Sequence, residues 1–205
     1  MLRVLRMYDT HTLFAPEPLV WIADWHRKAE ETGEDDPDAM TLSTCTPEGG
    51  VSARVVLLRG LDDRGLRFFT NYQSRKGTQL AHDAAAALTM YWPRAKRQIR
   101  IEGRAERVGA EVSDAYFASR PRGHQIGAWA SRQSETIASL EDLEARWKAI
   151  ETQYADREVP RPAHWGGYRV VPDRVEFWTG RSNRLHERVL YVRAEGGWKI
   201  ERLAP

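Results

Sequence analysis

Apolar side chains recur every second residue over much of the chain and every third or fourth in a few segments, and the two periods mark out strands and helices. A helix is predicted over 16–32, where Leu19, Ile22, His26 and Ala29 share one face and Glu and Lys take the other. An acidic turn at 34–38 leads into an alternating strand at 39–45, and Pro-Glu-Gly-Gly at 47–50 turns the chain into a mostly apolar strand at 52–59. A turn at 62–65 and a third strand at 66–70 follow, and three strands joined by short turns imply an antiparallel meander. Strands are also predicted at 84–91 and 97–107, the latter with Ile99 and Ile101 opposite Gln98 and Arg100. A helix at 111–119 should stop at Pro121, because the residue before proline avoids the helical region. A longer helix at 139–154, capped by Ser139 and Asp142, carries Leu140, Leu143, Trp147, Ile150 and Tyr154 as a stripe for core or subunit contact. Strands at 167–171, 174–178 and 185–193 close the chain, with 198–203 as a fourth.

This is a mainly β pattern with flanking helices (α+β), and its strand count favours a barrel. The connections are hairpin-like, and no Gly-x-Gly-x-x-Gly follows a strand, so a doubly wound nucleotide fold is not expected. Without repeats or a Pro/Gly/Ser linker, residues 1–205 read as a single domain, with 1–15 as a flexible N-terminal segment. No window approaches the roughly 20 apolar residues of a membrane span, and the first residues lack a signal-peptide core, so a cytoplasmic location is expected.

Cys45 is the only cysteine, which excludes an intrachain disulfide and a Cys-x-x-Cys redox pair. Electron chemistry here would need a bound cofactor. Of the 31 basic side chains 26 are arginine, whose planar fork suits phosphate and carboxylate, although GC-rich coding gives the same bias. A net charge of +2 without a basic run argues against nucleic acid as partner.

Asn71-Tyr-Gln-Ser-Arg-Lys-Gly-Thr-Gln-Leu80 carries the first candidate chemistry. Ser74 can cap a short helix whose free N–H groups, with Arg75 and Lys76, would seat a phosphate, and Gly77 keeps bulk out of the first turn. In Arg184-Leu-His-Glu-Arg188 a period of two puts Arg184, His186 and Arg188 on one face, which asks for an anion, and Trp178 nearby can wall a flat ligand. Tyr116 and Arg120, four apart, can hold a second anionic group. Arg54 and Arg59, five apart, can share a site only if their strand bulges between them. No metal pattern and no activated nucleophile is apparent.

Together, Arg54-Val-Val-Leu-Leu-Arg59, Phe69-Thr-Asn-Tyr-Gln-Ser-Arg-Lys76, Arg97-Gln98, Tyr116-Phe-Ala-Ser-Arg-Pro121, Gly127-Ala-Trp-Ala-Ser-Arg-Gln-Ser134, Phe177-Trp178, Arg184-Leu-His-Glu-Arg188 and 198–205 resemble the FMN-dependent pyridoxamine/pyridoxine 5′-phosphate oxidases. The similarity runs in order from about Met40 to the end. It implies a split β-barrel homodimer with FMN in two clefts between subunits. Arg54, Phe69, Thr70, Arg75, Lys76, Gln98, Gln133, Ser134, Trp178 and Arg188 would then contact FMN. Arg59, Tyr116, Arg120 and His124 would hold the substrate phosphate, with Arg184 and His186 at the substrate ring. The implied reaction passes a hydride to the flavin and then to O2, releasing H2O2 and pyridoxal 5′-phosphate. The family usually has lysine at Arg59 and serine at His124, and its Arg-Arg-x-Tyr N-terminal segment does not occur. Phenazine-pathway flavin oxidases on the same scaffold, acting on tricyclic carboxylates, resemble Ser131-Arg-Gln-Ser-Glu-Thr136 and are the alternative. A flavin-binding protein without turnover is a third.

Overall fold

The computed structural model describes residues 16–205, so the expected flexible segment 1–15 lies outside the described residues. Helix α1 (Pro18–Glu31) opens on a proline, where the missing N–H costs nothing, and buries Pro18, Leu19, Ile22, Trp25 and Ala29. Trp25, not His26, completes the apolar stripe: its ring meets Phe177 edge-on at 5.1 Å. His26 turns aside to Asp38, with Nε2 2.8 Å from Oδ1.

Strands β1 (Ala39–Cys45), β2 (Val51–Leu57), β3 (Gly60–Leu61) and β4 (Leu66–Asn71) precede α2 (Arg75–His82), β5 (Ala85–Trp92) and β6 (Arg97–Arg107). Three helices follow, α3 (Ala110–Ser119), α4 (Arg122–Ala130) and α5 (Leu140–Gln153), then β7 (Trp165–Thr179), a 3-10 turn at Ser182–Arg184, β8 (Glu187–Ala194) and β9 (Gly197–Leu203). The sheet order is β2-β1-β5-β6-β7-β4-β3, with β8 added to β7 and β9 to β8. All pairs are antiparallel. The result is mainly β with flanking helices, a sheet curled into a split barrel.

Two expectations about the strands need correction. The meander ends after the first hairpin, because β1 takes β5 as its second neighbour and β4 pairs with β3 and β7. The crossing occurs within one residue: the Leu58 N–H donates to Asp38 O at 2.8 Å and the Arg59 N–H to Arg67 O at 2.8 Å. Residues 167–171 and 174–178 form one strand, despite the Pro172 between them. A register shift at Glu102/Gly103 sets Gly103 opposite Pro172, so the ladder does not need the missing proline N–H there. A Cβ on Gly103 would lie 2.0 Å from Val171 O, so the bulge needs glycine.

The barrel core lies between α1 and one sheet face, with Met40, Leu42, Leu88, Met90, Ile99, Ile101 and Val175 fully buried. Burying such side chains stabilises by roughly 1.5–3 kcal/mol each. A second cluster of Phe117, Ile126, Tyr154, Val159 and Trp165 lies under α3, α4 and α5. The stripe expected on α5 is shallower than its pattern suggested: within α5 no residue is buried, Trp147 and Ile150 are partly covered, and Leu140 is exposed. No helix among the described residues is long and apolar enough to cross a membrane.

Candidate functional site

At the start of α2 the expected cap is present. Ser74 is buried and its Oγ accepts from the Gly77 N–H at 3.3 Å while donating to Asn71 O at 2.7 Å. Gly77 keeps bulk out of the first turn, as expected. A Cβ there would sit 2.3 Å from Tyr72 O, so the close approach is made by the chain's own backbone. Lys76 Nζ donates to Gln133 Oε1 at 2.9 Å and Thr70 Oγ1 at 3.2 Å, and the Arg75 N–H donates to Ser134 Oγ at 3.1 Å. Ser134 holds φ 76, an uncommon conformation for a non-glycine residue, of the kind that clusters at functional loops.

Arg54 reaches this region from β2. Its Nη1 donates to Thr44 Oγ1 at 2.7 Å and its Nη2 to Ser52 Oγ at 2.5 Å and Gln79 Oε1 at 3.1 Å, all neutral acceptors. Burial first, then the charge of Arg75, push Arg54 below its ordinary value. Burial first, then Arg54, do the same to Lys76. Three cations thus crowd one helix N-terminus, and none is paired with a carboxylate among the described residues. Like charges in partly buried positions destabilise one another unless an anion joins them, and the helix N-terminus adds donors of the same polarity. This donor set fits a phosphate.

Next to it, Phe69 stacks on Tyr116 with ring centroids 3.9 Å apart, and Trp165 continues the stack. Arg120 lies at the end of α3 as an extended cap with ψ 148, so the helical four-residue spacing does not bring it to Tyr116. Trp165 does: it is near-parallel to Tyr116 at 6.2 Å, and Arg120 Cζ lies 4.6 Å over its ring. Arg120 Nη1 is buried with no acceptor among the described residues. Arg59 is elsewhere. The strand carrying Arg54 ends at Leu57, and Arg59 Nη1 donates to Asp38 Oδ2 at 2.5 Å. His124 is exposed in the first turn of α4.

The remaining candidates gather at the far end of β6, β7 and β8. Gln98, Trp178 and Arg188 stand directly opposite one another across three strands. Arg188 is held by Glu176 at 2.7 and 3.1 Å. The expected common face of Arg184, His186 and Arg188 does not form, because β8 begins only at Glu187 and Arg184 has φ 60 in the preceding turn. The turn instead folds His186 against Trp178, ring centroids 4.7 Å apart, and the Arg181 N–H donates to His186 Nδ1 at 3.2 Å. These rings, with Tyr91 and Lys96, line an open cleft of about 1010 Å³.

The two groups are far apart in one chain. Phe69 and Thr70 pair with Gly167 and Gly166 at one end of β7, and Trp178 lies eleven residues further on, up to about 36 Å along an extended strand. Sequence reasoning missed Thr44, Ser52 and Gln79 around Arg54, Trp165 beneath Arg120, and the carboxylates Asp38 and Glu176. Of these, Glu176 alone carried a local signal, lying two residues from Trp178 on the same strand face.

The pyridoxamine 5′-phosphate oxidase family model matches residues 27–154. The pyridoxine 5′-phosphate oxidase C-terminal dimerisation region matches 165–205. The chain is 53% identical over 190 residues to a pyridoxine/pyridoxamine 5′-phosphate oxidase of Cyanothece sp., covering 93% of this chain and 89% of that protein. To the Burkholderia cenocepacia protein of that name it is 54% identical over 194 residues, covering 93% and 90%. Among solved structures, PhzG from Burkholderia lata 383, in complex with tetrahydrophenazine-1-carboxylic acid, superposes with TM-score 0.91 at 31% identity over 97% of this chain and 98% of that one. A pyridoxamine 5′-phosphate oxidase-related, FMN binding protein from Nostoc punctiforme, 18% identical, shares the fold at TM-score 0.74 over 94% of this chain and 100% of that one.

Proposed function

Because the chain belongs to the pyridoxamine 5′-phosphate oxidase family, whose members are FMN-dependent oxidoreductases, we propose that it converts pyridoxamine and pyridoxine 5′-phosphates to pyridoxal 5′-phosphate, with O2 as acceptor and H2O2 as product, the oxidised amine being hydrolysed by water with release of ammonia. The observation that carries this reading is the trio Arg54, Arg75 and Lys76 at the α2 N-terminus, which forms no salt bridge with a carboxylate among the described residues.

In this reading Arg54, Arg75, Lys76, Gln133 and Ser134 hold the FMN phosphate end, and Phe69 and Thr70 line the cofactor. Trp178 lies too far along β7 from Phe69 and Thr70 to reach the same FMN, and Gln98 and Arg188 flank it on β6 and β8, so the three come from a second copy and the site lies between two subunits of a homodimer. The C-terminal dimerisation region, which contains Trp178 and Arg188, agrees with that arrangement. The whole chain then acts as one FMN-binding split-barrel domain in the cytoplasm. When bound, FMN supplies the hydride acceptor and the route of electrons to O2.

The substrate anion falls to Tyr116, Arg120, Arg59 and His124. The buried, unpaired Nη1 and the flat Trp165 surface under Arg120 suit a fork donating to phosphate. Arg184 and His186 border the substrate ring. With Nδ1 accepting from the Arg181 N–H, the neutral His186 ring keeps its proton on Nε2 and offers it as a donor. The test is to purify the protein, look for the flavin spectrum, and offer pyridoxamine 5′-phosphate in air while following aldehyde and peroxide. Flavin without turnover sinks the vitamin B6 assignment.

A phenazine precursor is the second substrate reading, favoured by the superposition on PhzG and by Asp38, which already neutralises Arg59. We put it second because the identities of 53% and 54% to the B6 oxidases, against 31% to PhzG, support the B6 reading more.

A further inference from the structure

Among the described residues Glu176 is the only buried charged side chain, at 7% exposure. It lies on β7, directly opposite Arg100 on β6 and two residues from Trp178, on the face turned away from Val175 and Phe177. Its Oε1 accepts from Arg188 Nε at 2.7 Å and its Oε2 from Arg188 Nη2 at 3.1 Å, so the guanidinium is gripped along one edge. Arg100 Nη1 donates to the same Oε2 at 3.1 Å and holds the carboxylate from the other side. A third bond, from Arg188 Nη1 to Ala204 O at 2.9 Å, ties in the end of the chain.

A guanidinium has five N–H groups. Three of those on Arg188 are engaged, which leaves one on each Nη. We propose that Glu176 is a positioning residue for the cofactor: it never touches FMN, but it fixes the plane of Arg188 so that the two remaining donors are held for the cofactor. The inference rests on the reading of Arg188 as a cofactor contact. The arrangement also explains why a carboxylate is buried on a strand face. A half-buried arginine on a β-strand retains many rotamers unless one edge is anchored, and a bidentate charged partner removes them.

The test measures FMN rebinding to apoprotein through quenching of flavin fluorescence in Glu176→Gln, Glu176→Asp, Arg188→Ala and the Glu176→Gln/Arg188→Ala double variant. Glu176→Gln should raise the FMN Kd about tenfold or more, while the KM for pyridoxamine 5′-phosphate at saturating FMN stays unchanged. Glu176→Asp keeps the charge on a shorter arm and guards against misfolding: it should weaken FMN with an unchanged far-UV CD spectrum. In the Arg188→Ala background Glu176→Gln should add nothing, since Glu176 acts only through Arg188. Wild-type FMN affinity in Glu176→Gln, or in Glu176→Asp should the first not fold, overturns the inference while a weak Arg188→Ala leaves the cofactor reading standing. A further loss in the double variant also overturns it. Wild-type affinity in Arg188→Ala removes the reading itself, and the inference with it.

Discussion

Replacing Lys76 with methionine should weaken FMN and, at the same time, stabilise the protein without FMN. Lys76 donates to Gln133 and Thr70 and stands in the field of Arg54, with no carboxylate partner among the described residues. A charge-assisted hydrogen bond contributes about 1.5–3 kcal/mol, so losing one to the phosphate raises the FMN Kd about 10- to 150-fold. With FMN in large excess its stabilising effect falls by the same amount, or about 3–12 °C in Tm for a chain of this size. The apoprotein moves the other way. Burial and Arg54 hold the folded-state pKa of Lys76 below its ordinary value, so the unfolded chain binds this proton more tightly and the charged lysine costs stability at neutral pH. That cost fades as pH rises toward the unfolded lysine value of about 10.4. Thermal unfolding with and without FMN at pH 7 and pH 10, at fixed protein concentration, reads both effects. An apo Lys76→Met less stable than wild type at pH 7, or an unchanged FMN-induced shift, would refute the reasoning.

Arg120→Ala should raise the KM for pyridoxamine 5′-phosphate about tenfold or more, with the FMN Kd unchanged; equal losses in both would place Arg120 at the cofactor instead. Gly77→Ala should lower the urea midpoint by an amount equivalent to about 2 kcal/mol or more, because its Cβ would meet Tyr72 O at 2.3 Å; an unchanged midpoint would show that the turn can open. Tyr191, raised by burial to about 12, contributes stability that is full below the unfolded tyrosine value and lost as pH climbs to the folded one. Tyr191→Phe should therefore resist alkaline unfolding between roughly pH 10 and 12 better than wild type in a CD titration. Co-refolded Lys76→Met and Arg188→Ala chains should regain sites with wild-type FMN affinity, because one site of each mixed dimer receives both intact halves; no recovery would place both halves in one subunit.

Local signals in the sequence translated well into local structure. Ser74 caps α2 and Ser139 caps α5, each accepting from the N–H three residues on, and Ile99 and Ile101 face the core while Arg100 is exposed. What failed was non-local. Alternation shows that 52–59 and 66–70 are strands but contains nothing about which strands pair, and the crossing at Leu58 and Arg59 is written only in backbone bonds. Residues 167–171 and 174–178 read as two strands because the bulge that accommodates Pro172 sits 69 residues earlier, at Gly103. Helix α4 was hidden by its composition: two glycines weaken it, no side chain caps it, and Pro121 ends the preceding helix while serving as its N-cap.

The candidate site shows the same division more sharply. A helix N-terminal phosphate seat is a contiguous object, so Ser74, Arg75 and Lys76 could be read from ten residues. An arginine's role depends on what neutralises it, and that partner can come from anywhere in the fold. Among the described residues Arg54, Arg75 and Lys76 form no salt bridge, whereas Arg59 meets Asp38 and Arg188 meets Glu176. The basic side chains of these stretches therefore do two jobs. The unpaired cations supply charge and wait for an anion, while the paired ones supply direction, their charge already answered within the chain. In the proposed site direction suffices for Arg188, because one N–H on each Nη remains unengaged after Glu176 and Ala204 O are bound. For Arg59 it is a constraint: a substrate phosphate there must share the guanidinium with Asp38, and the resulting like-charge repulsion shifts the weight of substrate binding onto Arg120.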